Sequence, residues 1–381
     1  MFWIHGGGFL FGGAGEYPAS GIAENLASRG VVVVAINYRL NIFGFYTTNN
    51  AQNVPGEIPG NNGLRDQIMA LQWVQKEIRG FGGDPKRVTL FGQSAGGVSV
   101  SLLTYSPLAR VVIAIWEDQI PWSYIGRDLF SMLLNEAFVK STVFGPYGKE
   151  VGKLVDYIYS RSKPSLSSAD NLAWARRIIT MTSDYAFFAA TVREAQTWLL
   201  GGNKNVYLYS LDYESDAFPF PKNLTCAFHT LDLHLIFKNM FQQLKPFREH
   251  EWVMSANDLK MVNLMGEMWT NFAKTGHPGH DWQPIPMSAI SDLTLTNYFS
   301  IDLPQPQMRR MFHPDAAQLW NLIVPQSVAI EEAKAQDATS SKSSGILSSA
   351  VPSTVLQQRN RISFLLILSL SISTALSINM K

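Results

Sequence analysis

The fold of this chain is decided by residues 87–97, RVTLFGQSAGG, in which a short apolar run ends at a serine between two glycines. The run 88–91 combines β-branched and aromatic residues and is short enough for a buried strand, whereas the small residues after Ser94 begin a helix-like segment. A G-x-S-x-G pattern between a strand and a helix is typical of a nucleophile elbow, in which a strained turn lifts the serine hydroxyl to the N-terminus of a helix. The pattern predicts that Ser94 is a nucleophile, although patterns with three fixed positions also arise by chance.

A second signature lies at the start of the chain, where the apolar run 2–4 leads into a histidine and three glycines. Such a loop can turn its backbone N–H groups toward a bound molecule, and in an HGGG-type loop these groups bind an oxyanion. We expect the donors to come from Gly7 and Gly8, joined by the backbone N–H of Ala95. A glycine-rich turn without a binding role is the alternative for this loop alone, but it does not explain both signatures on one chain.

The segments between the two signatures predict an α/β protein. The β-branched run 31–38 is typical of a strand buried on both faces of a parallel sheet. Apolar residues recur at helical spacing over 64–78, and Gly80 and the following GGDP predict the helix end and a turn. For Asp66 and Asp84 we expect structural roles in caps and turns rather than catalysis. Strands alternating with helices define the α/β class.

The remaining segments predict helices and one further strand. The pattern is helical over about 123–202, and residues 205–213, NVYLYSLDY, alternate as a strand does. Amphipathic helices are predicted over 259–272 and 316–323.

Three blocks of this sequence resemble the type-B carboxylesterase and cholinesterase family in their order and spacing. They are FWIHGGGF, VVVVAINYRL and the segment 61–97. The resemblance is dense from residue 2 to about 106 and weaker from 111 to 320. It implies an α/β-hydrolase fold, with a mostly parallel central sheet flanked by helices, and a serine carboxylic-ester hydrolase that works through a Ser-His-acid triad and an acyl-enzyme intermediate.

The base of such a triad has several candidates, since the chain contains seven histidines. The chain order of this fold is serine, acid, histidine, so His5, which precedes the serine, is disfavoured. His229 lies in TCAFHTLDLHLIF, which resembles the catalytic-histidine stretch of the family, and we assign it as the base. His234, further along the same stretch, is expected to be a helix-surface or packing residue. Surface positions are expected for His277, His280 and His313.

The acid of the triad is expected directly after a second buried-strand run at 111–116. Acidic groups at the carboxyl end of a strand lie where α/β folds place their catalytic residues. Related strands in the family end Asp-Glu-Gly, so matching by position assigns the acid to Asp118, with Gln119 in place of the glycine. Glu117 is the alternative acid, and a surface acidic pair without a catalytic role is also open.

The chain differs from the family pattern in two places. It begins inside the oxyanion strand, so we expect the opening strands of the family to be absent. The interval between Ser94 and Asp118 has room for one helix and one strand, so we also expect an internal deletion near residues 108–111. These differences leave a catalytically impaired product, or a neuroligin-like adhesion or recognition ectodomain, as the alternative function. Gln93 stands where cholinesterases carry glutamate, which favours a general carboxylesterase.

Composition limits the other classes of function. The chain has 381 residues, 46% of them hydrophobic and 16% charged, which suffices for a large core in one domain. A net charge of +1 gives no basic field, which argues against nucleic acid as a partner. The sequence shows neither a phosphate-binding loop nor a metal-ligand cluster, so we expect no cofactor, no metal and a small-molecule ester as the partner. The single cysteine, Cys226, excludes an internal disulfide.

The composition predicts three regions along the chain. Residues 1–325 form the truncated hydrolase domain, residues 326–361 a disordered Ser/Ala/Lys-rich linker, and residues 362–381 a hydrophobic tail. Small residues at 348–350, a polar spacer and the apolar tail fit a glycolipid-anchor signal, with a single C-terminal span as the alternative. We therefore expect a secreted or cell-surface protein with membrane attachment through residues 348–381, although no signal peptide precedes the first strand.

Overall fold

A computed structural model of the chain describes residues 1–48, 60–105, 127–135, 139, 144–161, 170–215, 230–238, 240, 253–292 and 295–340. These residues fall into two compact units. One unit contains the described residues of Met1–Ile113 and Ala195–Phe312, and the other those of Ala114–Glu194 and His313–Ser369. The predicted acids Asp118 and Glu117 and the predicted base His229 lie outside the described residues.

A parallel sheet of three strands organises the first unit. Strand β1 (Phe2–Ile4) pairs with β2 (Val34–Ala35) on one side and with β3 (Leu90–Gly92) on the other. Parallel neighbours require crossover connections, and helices occupy those connections. The helices are α1 (Ala19–Asn25), α2 (Asn41–Phe45) and α3 (Asn62–Glu77), and α4 (Ala95–Tyr105) follows β3. This part of the chain confirms the predicted α/β class.

The second strand is shorter and less buried than predicted. The sequence suggested a strand over 31–38 buried on both faces, but residues 31–35 are only half-buried. Among the described residues β2 lies at the edge of the sheet, which explains the lower burial. The end of the run is buried, as predicted, at Ile36 and Tyr38.

The helical segment that starts with α3 ends slightly later than predicted, whereas the turn after it lies at the predicted GGDP. A short 3-10 helix, Ile78–Phe81, continues α3 past Gly80. The chain turns at Gly82, the first residue of the predicted GGDP turn; its φ of 78° is left-handed, and its N–H donates to the Arg79 carbonyl at 3.1 Å. This conformation suits glycine at a helix C-terminus. The predicted structural role of Asp84 is confirmed, because its side chain accepts the Lys86 N–H in the following turn.

Asp66 also has the structural role that the sequence predicted. Its carboxylate accepts three hydrogen bonds of 2.8–2.9 Å from the backbone N–H and the guanidinium of Arg39. The hydrogen bonds from the Arg39 side chain hold the pKa of the Asp66 carboxyl below its usual value. The pair fixes the start of α2 against α3.

The second unit is helical in its described residues, as predicted for 123–202. Its helices include α5 (Arg127–Leu133), α6 (Gly148–Asp156) and α7 (Asn171–Ser183), and α8 (Ala189–Leu200) begins in it. The guanidiniums of Arg127 and Arg177 lie over the ring of Trp174, at 5.6 and 5.2 Å from its centroid. The contact of Arg127 with Trp174 joins α5 to α7.

A second small sheet completes the first unit. Strand β4 (Tyr209–Leu211) runs parallel to β5 (Tyr298–Ile301), which pairs antiparallel with β6 (Gln307–Arg309). Helices α9 (Leu231–Ile236) and α10 (Ala256–Thr275) belong to the same unit. The strand predicted over 205–213 and the helix predicted over 259–272 are therefore both present, the strand in a shorter form.

The last described helix differs from the prediction at its C-terminal end. Helix α11 (Pro314–Gln318) continues through a π-helical turn into α12 (Val324–Ser340). The linker predicted from residue 326 is therefore helical at its start, since its alanine, glutamate, glutamine and lysine residues favour a helix. The rest of the linker and the tail lie outside the described residues, so membrane attachment stays a prediction. None of the described helices is long and apolar enough to span a membrane.

Candidate active site

Ser94 occupies the strained turn that the sequence predicted. It lies between β3 and α4 with a φ of 55°, in the left-handed region that residues other than glycine rarely adopt. Its residue surface is 4% exposed. Backbone strain of this kind costs on the order of 1–3 kcal/mol and persists only where the surrounding packing imposes it. The strain at Ser94 therefore requires tightly packed neighbours.

The two glycines of the motif allow neighbouring backbone to pack closely around Ser94. A β-carbon on Gly96 would lie 1.9 Å from the carbonyl oxygen of Ile4, and one on Gly92 would lie 2.5 Å from the backbone of Gly96. Real side chains do not tolerate such distances, so both positions need glycine. The first turn of α4 thus lies directly against the end of β1.

The glycine loop after β1 lies against the same turn. Ile4 and Gly92 are paired in the sheet, so the residues that follow the two strands leave it at the same edge. A β-carbon on Gly6 would lie 3.0 Å from the Ser94 β-carbon. Gly7 and Gly8 both have left-handed φ values, of 103° and 60°. The structure therefore brings the two sequence signatures together.

The position of Ala95 favours a negative charge beside Ser94. Ala95 is the first residue of α4, and its side chain is buried. Two N–H groups of this turn are already used, because Gly96 donates to Gln93 and Val98 donates to Ser94. A helix N-terminus carries a partial positive charge, which stabilises an anion formed there. An oxyanion hole built by Gly7, Gly8 and Ala95 stays a prediction that this geometry favours.

His5 contacts the first residue of the glycine loop. Its ring stacks on Tyr38, with centroids 4.4 Å apart, and its Nδ1 lies 2.8 Å from the Gly6 carbonyl oxygen. The Tyr38 hydroxyl donates to the His5 carbonyl at 2.9 Å. Burial lowers the pKa of the His5 imidazole, so it is neutral at physiological pH. These contacts agree with the expectation that His5 is not the catalytic base.

Tyr17 is a second supporting residue, and sequence reasoning missed it. Its hydroxyl is buried near the backbone of Gly6, and burial raises the pKa of that hydroxyl well above its usual range. Its ring contacts Trp3 edge-on, with centroids 5.2 Å apart. The sequence around Tyr17 carries no pattern that would have identified this role, because the contact depends on the tertiary fold.

The helix that follows His229 is fixed against the sheet that carries Ser94. Thr230, with a φ of 83°, precedes α9, whose end leads into Phe237. The Phe237 ring lies 4.7 Å from Trp3 of β1, and Asn25 of α1 donates to the Leu235 and Ile236 carbonyls. The described residues thus bring the segment after the predicted base to the face of β1.

His234 is buried rather than exposed on this helix. Its residue surface is 1% exposed, and burial lowers the pKa of its imidazole to about 4, while the negative charge of Asp258 acts in the opposite direction. Of the two expected positions, helix surface or packing, the structure shows packing. A histidine with a pKa this low is a poor general base at neutral pH.

The depressed pKa of His234 predicts a loss of stability in acid. The unfolded chain takes up a proton near pH 6.5, whereas the folded chain does so only near pH 4, so this group lowers stability as the pH falls between these values. Between pH 7 and pH 5, this group alone should lower the free energy of unfolding by about 2 kcal/mol. Urea denaturation at both pH values should show a smaller loss for His234→Leu, whereas an equal loss would contradict the assignment.

No metal site accompanies these residues in the part of the chain that the structure describes. Within it, no group of three or more His, Cys, Asp or Glu side chains is placed to hold a metal ion.

The geometry of the site assigns the class, and comparison with known proteins then assigns the family. A serine held in a strand-to-helix elbow against a glycine loop is the arrangement of the α/β-hydrolase class. The model of the carboxylesterase family matches residues 1–123 and 126–320. The chain therefore belongs to the carboxylesterase family, and this membership places it among the carboxylic ester hydrolases.

The relatives differ in how much of the chain they cover. Esterase cest-33 of Caenorhabditis elegans is 26% identical over 443 residues, which covers 87% of this chain and 76% of that protein. Liver carboxylesterase of Sus scrofa is 53% identical over 110 residues, covering 29% of this chain and 18% of that enzyme. Bile salt-activated lipase of Homo sapiens is 48% identical over 142 residues, covering 34% of this chain and 18% of that enzyme. The chain thus spans less than a fifth of the length of the last two.

Proposed function

We propose that this chain hydrolyses carboxylic esters with Ser94 as the nucleophile. The observation that carries the proposal is the left-handed φ of Ser94, which Gly96 imposes by packing against β1. Strain at a functional serine is expected where its hydroxyl must reach a substrate carbonyl in a fixed direction. The family and its named relatives support the same reaction class.

In the proposed mechanism His229 takes the proton of the Ser94 hydroxyl as its oxygen attacks the ester carbonyl. Asp118, or alternatively Glu117, orients the imidazole and stabilises its positive charge. The tetrahedral intermediate then collapses, and His229 returns the proton to the departing alcohol, leaving the acyl group on Ser94. Water, activated by the same histidine, attacks the acyl-enzyme and releases the acid.

The glycine loop and α4 would stabilise the anion formed in both steps. Backbone N–H groups of Gly7, Gly8 and Ala95 are the proposed donors. Each donor of this kind contributes about 3 kcal/mol to the transition state. The support that His5, Tyr17 and Tyr38 give to the loop keeps the donors in place before the substrate binds, so little reorganisation is needed during the reaction.

The residue before the nucleophile favours a neutral ester. Gln93 is buried, and a β-carbon on Gly6 would lie 2.8 Å from its side-chain oxygen. A glutamine at this position provides no negative charge to hold a cationic alcohol group. We therefore propose a general carboxylesterase rather than an enzyme for choline esters. A secreted or cell-surface location stays the expectation from the sequence.

Labelling with a fluorophosphonate probe tests the proposed function. The probe forms a stable phosphonyl bond only with a serine that is activated by a base and an oxyanion hole. We expect the wild-type chain to be labelled and Ser94→Ala to remain unlabelled under the same conditions.

The control for labelling is Ser28→Ala, which removes an exposed serine hydroxyl on the surface of the same unit. This variant should be labelled as strongly as the wild type. Folded wild-type protein that takes up no probe, or Ser94→Ala protein that takes up as much as the wild type, would contradict the proposal. Circular dichroism of each sample establishes that the protein is folded.

A further inference from the structure

Helix α1 packs closely on the segment that ends α9. A β-carbon on Gly21 would lie 1.9 Å from the Phe237 carbonyl oxygen, so this position has no room for a side chain. Glu24 forms an ion pair with Lys238, the next residue of that segment. Glu24 and Asn25 follow Gly21 by three and four residues, so the three lie on one face of α1. This face of α1 holds the chain where α9 ends.

The Asn25 side chain provides the hydrogen bonds of this contact. It is 2% exposed, and its amide nitrogen donates to the Leu235 and Ile236 carbonyls at 3.3 and 2.9 Å. The last carbonyls of a helix have no partner within the helix, and leaving them buried without a partner is costly. Asn25 therefore satisfies two groups that α9 cannot satisfy by itself.

The oxygen of the Asn25 amide is held as well. The Arg29 guanidinium donates to it at 3.4 Å, and a β-carbon on Gly266 of α10 would lie 2.3 Å from it. Gly266 thus leaves the space that the amide occupies. Because neighbours on both sides fix the amide, the two α9 carbonyls bound to it are fixed in turn.

Helix α9 connects this contact to the predicted base. The helix has six residues, all of them buried, and its length is about 9 Å. Thr230 directly precedes the helix, and His229 precedes Thr230 in the sequence. A helix of fewer than two turns moves as one body, so a displacement of its carboxyl end also displaces its amino end.

The residue that leads into α1 contacts the same segment. Tyr17, two residues before α1, has its hydroxyl buried near the backbone of Gly6. Its ring centroid lies 4.8 Å from that of Phe237, whose ring also stacks on Phe91 of β3 at 6.3 Å. Residues 17–25 therefore contact both the glycine loop and the chain after α9.

We infer that Asn25 is a positioning residue, which holds α9 and thereby sets the place of His229 relative to Ser94. The inference rests on the proposed function, in which His229 takes the proton of Ser94. A misplacement of about 1 Å slows an enzyme on the order of 100-fold, because proton transfer needs hydrogen-bond distance. Without the two donated hydrogen bonds we expect α9 to shift and kcat to fall by about 10- to 100-fold.

Hydrolysis of p-nitrophenyl acetate by Asn25→Leu tests the inference. Leucine has the branched shape of asparagine but cannot donate to the two carbonyls. We expect the fall in kcat with KM within about threefold, because the histidine acts in both steps of the proposed mechanism and does not bind the ester. A folded variant with wild-type kcat would overturn the inference, even with reduced stability, since Asn25 would then have only a structural role.

The matched control is Asn263→Leu. Asn263 is an exposed residue of α10 that accepts from the same Arg29 guanidinium, at 3.1 Å. The control therefore makes the same substitution and removes a hydrogen bond of the same arginine. Its kcat should stay within about twofold of the wild type. An equal decrease in the control would overturn the inference.

Asn25→Ala is the second variant, in case Asn25→Leu does not fold. Its small side chain leaves room for water at the two α9 carbonyls, so they keep partners. Water does not fix their position, and kcat should therefore still fall by at least about fivefold. Wild-type kcat in a folded Asn25→Ala protein would contradict the assigned role. Circular dichroism establishes that each variant is folded.

Hydrogen exchange separates this inference from the proposed function, because it needs no reaction. The backbone amides of residues 231–238 should exchange at least about tenfold faster in Asn25→Leu than in the wild type, and at the wild-type rate in Asn263→Leu. Unchanged exchange in Asn25→Leu would overturn the inference even if the wild type hydrolyses esters. Faster exchange in a chain that hydrolyses no ester would support the hold of Asn25 on α9 and count against the proposed hydrolase alone.

Discussion

Replacing Gly96 by alanine is expected to destabilise the sheet around Ser94 by at least about 4 kcal/mol. The added β-carbon would lie 1.9 Å from the Ile4 carbonyl oxygen and 2.8 Å from that of His5. Both contacts are to backbone, which cannot move aside as a flexible side chain can. Either α4 moves away from β1 or the strand pairing of Ile4 with Gly92 is lost. Since domains of this size are stable by only about 5–15 kcal/mol, a large fraction of the stability disappears.

Urea denaturation and fluorophosphonate labelling check this expectation together. The midpoint of unfolding should fall strongly for Gly96→Ala, and labelling of Ser94 should be lost. Gly80→Ala is the matched control, because apart from its chain neighbours and its own helix backbone no heavy atom of the described residues lies within 4 Å of its added β-carbon. Its stability should change by less than about 1 kcal/mol. A Gly96→Ala protein with wild-type stability and labelling would show that the elbow is not packed as described.

Replacing His229 by glutamine is expected to lower kcat/KM for ester hydrolysis on the order of 10⁵-fold or more. Without a base the Ser94 hydroxyl keeps its proton and attacks poorly. The described neighbours favour His229 over His234, since His234 is buried with a pKa of about 4. The helix that begins after His229 is held on β1 by Phe237.

His280→Asn is the control for the histidine assignment. His280 lies near Glu267 on the surface of the first unit and has a φ of 52°, a conformation that asparagine tolerates. Its replacement should leave kcat/KM within about twofold, as surface substitutions usually do. If His229→Gln hydrolysed esters as fast as the His280 control, the assignment of the base would be wrong.

The sequence predicted the elements around Ser94 well because their signals are local. The strand-to-helix turn, the three glycines and the helix over 64–78 depend on neighbouring residues, and the structure confirms each of them. The family resemblance was confirmed by the match of the carboxylesterase family across the chain. Local pattern and family therefore agree on the part of the fold that carries the proposed nucleophile.

Other features could not be predicted because they depend on distant partners. The burial of residues 31–35 depends on which strand pairs with the outer edge of β2, and a β-branched run does not specify this. The hydrogen bond from Tyr38 to the His5 carbonyl and the burial of Tyr17 near Gly6 bring together residues from separate elements. The triad acid and base, Asp118 and His229, stay predictions of the sequence and of the resemblance.

The hydrogen bonds from Asn25 to the Leu235 and Ile236 carbonyls have a consequence for the order in which the molecule is completed. They join residues 210 and 211 positions apart, whereas the elbow and the glycine loop form within the first hundred or so residues of the chain. Contacts between distant positions form slowly, because a long loop must close before they are gained. During synthesis the ribosome therefore releases the nucleophile region long before the segment after His229 emerges. We expect a nascent chain to acquire its serine pocket before its reactivity toward esters, because that reactivity also requires the later segment around His229.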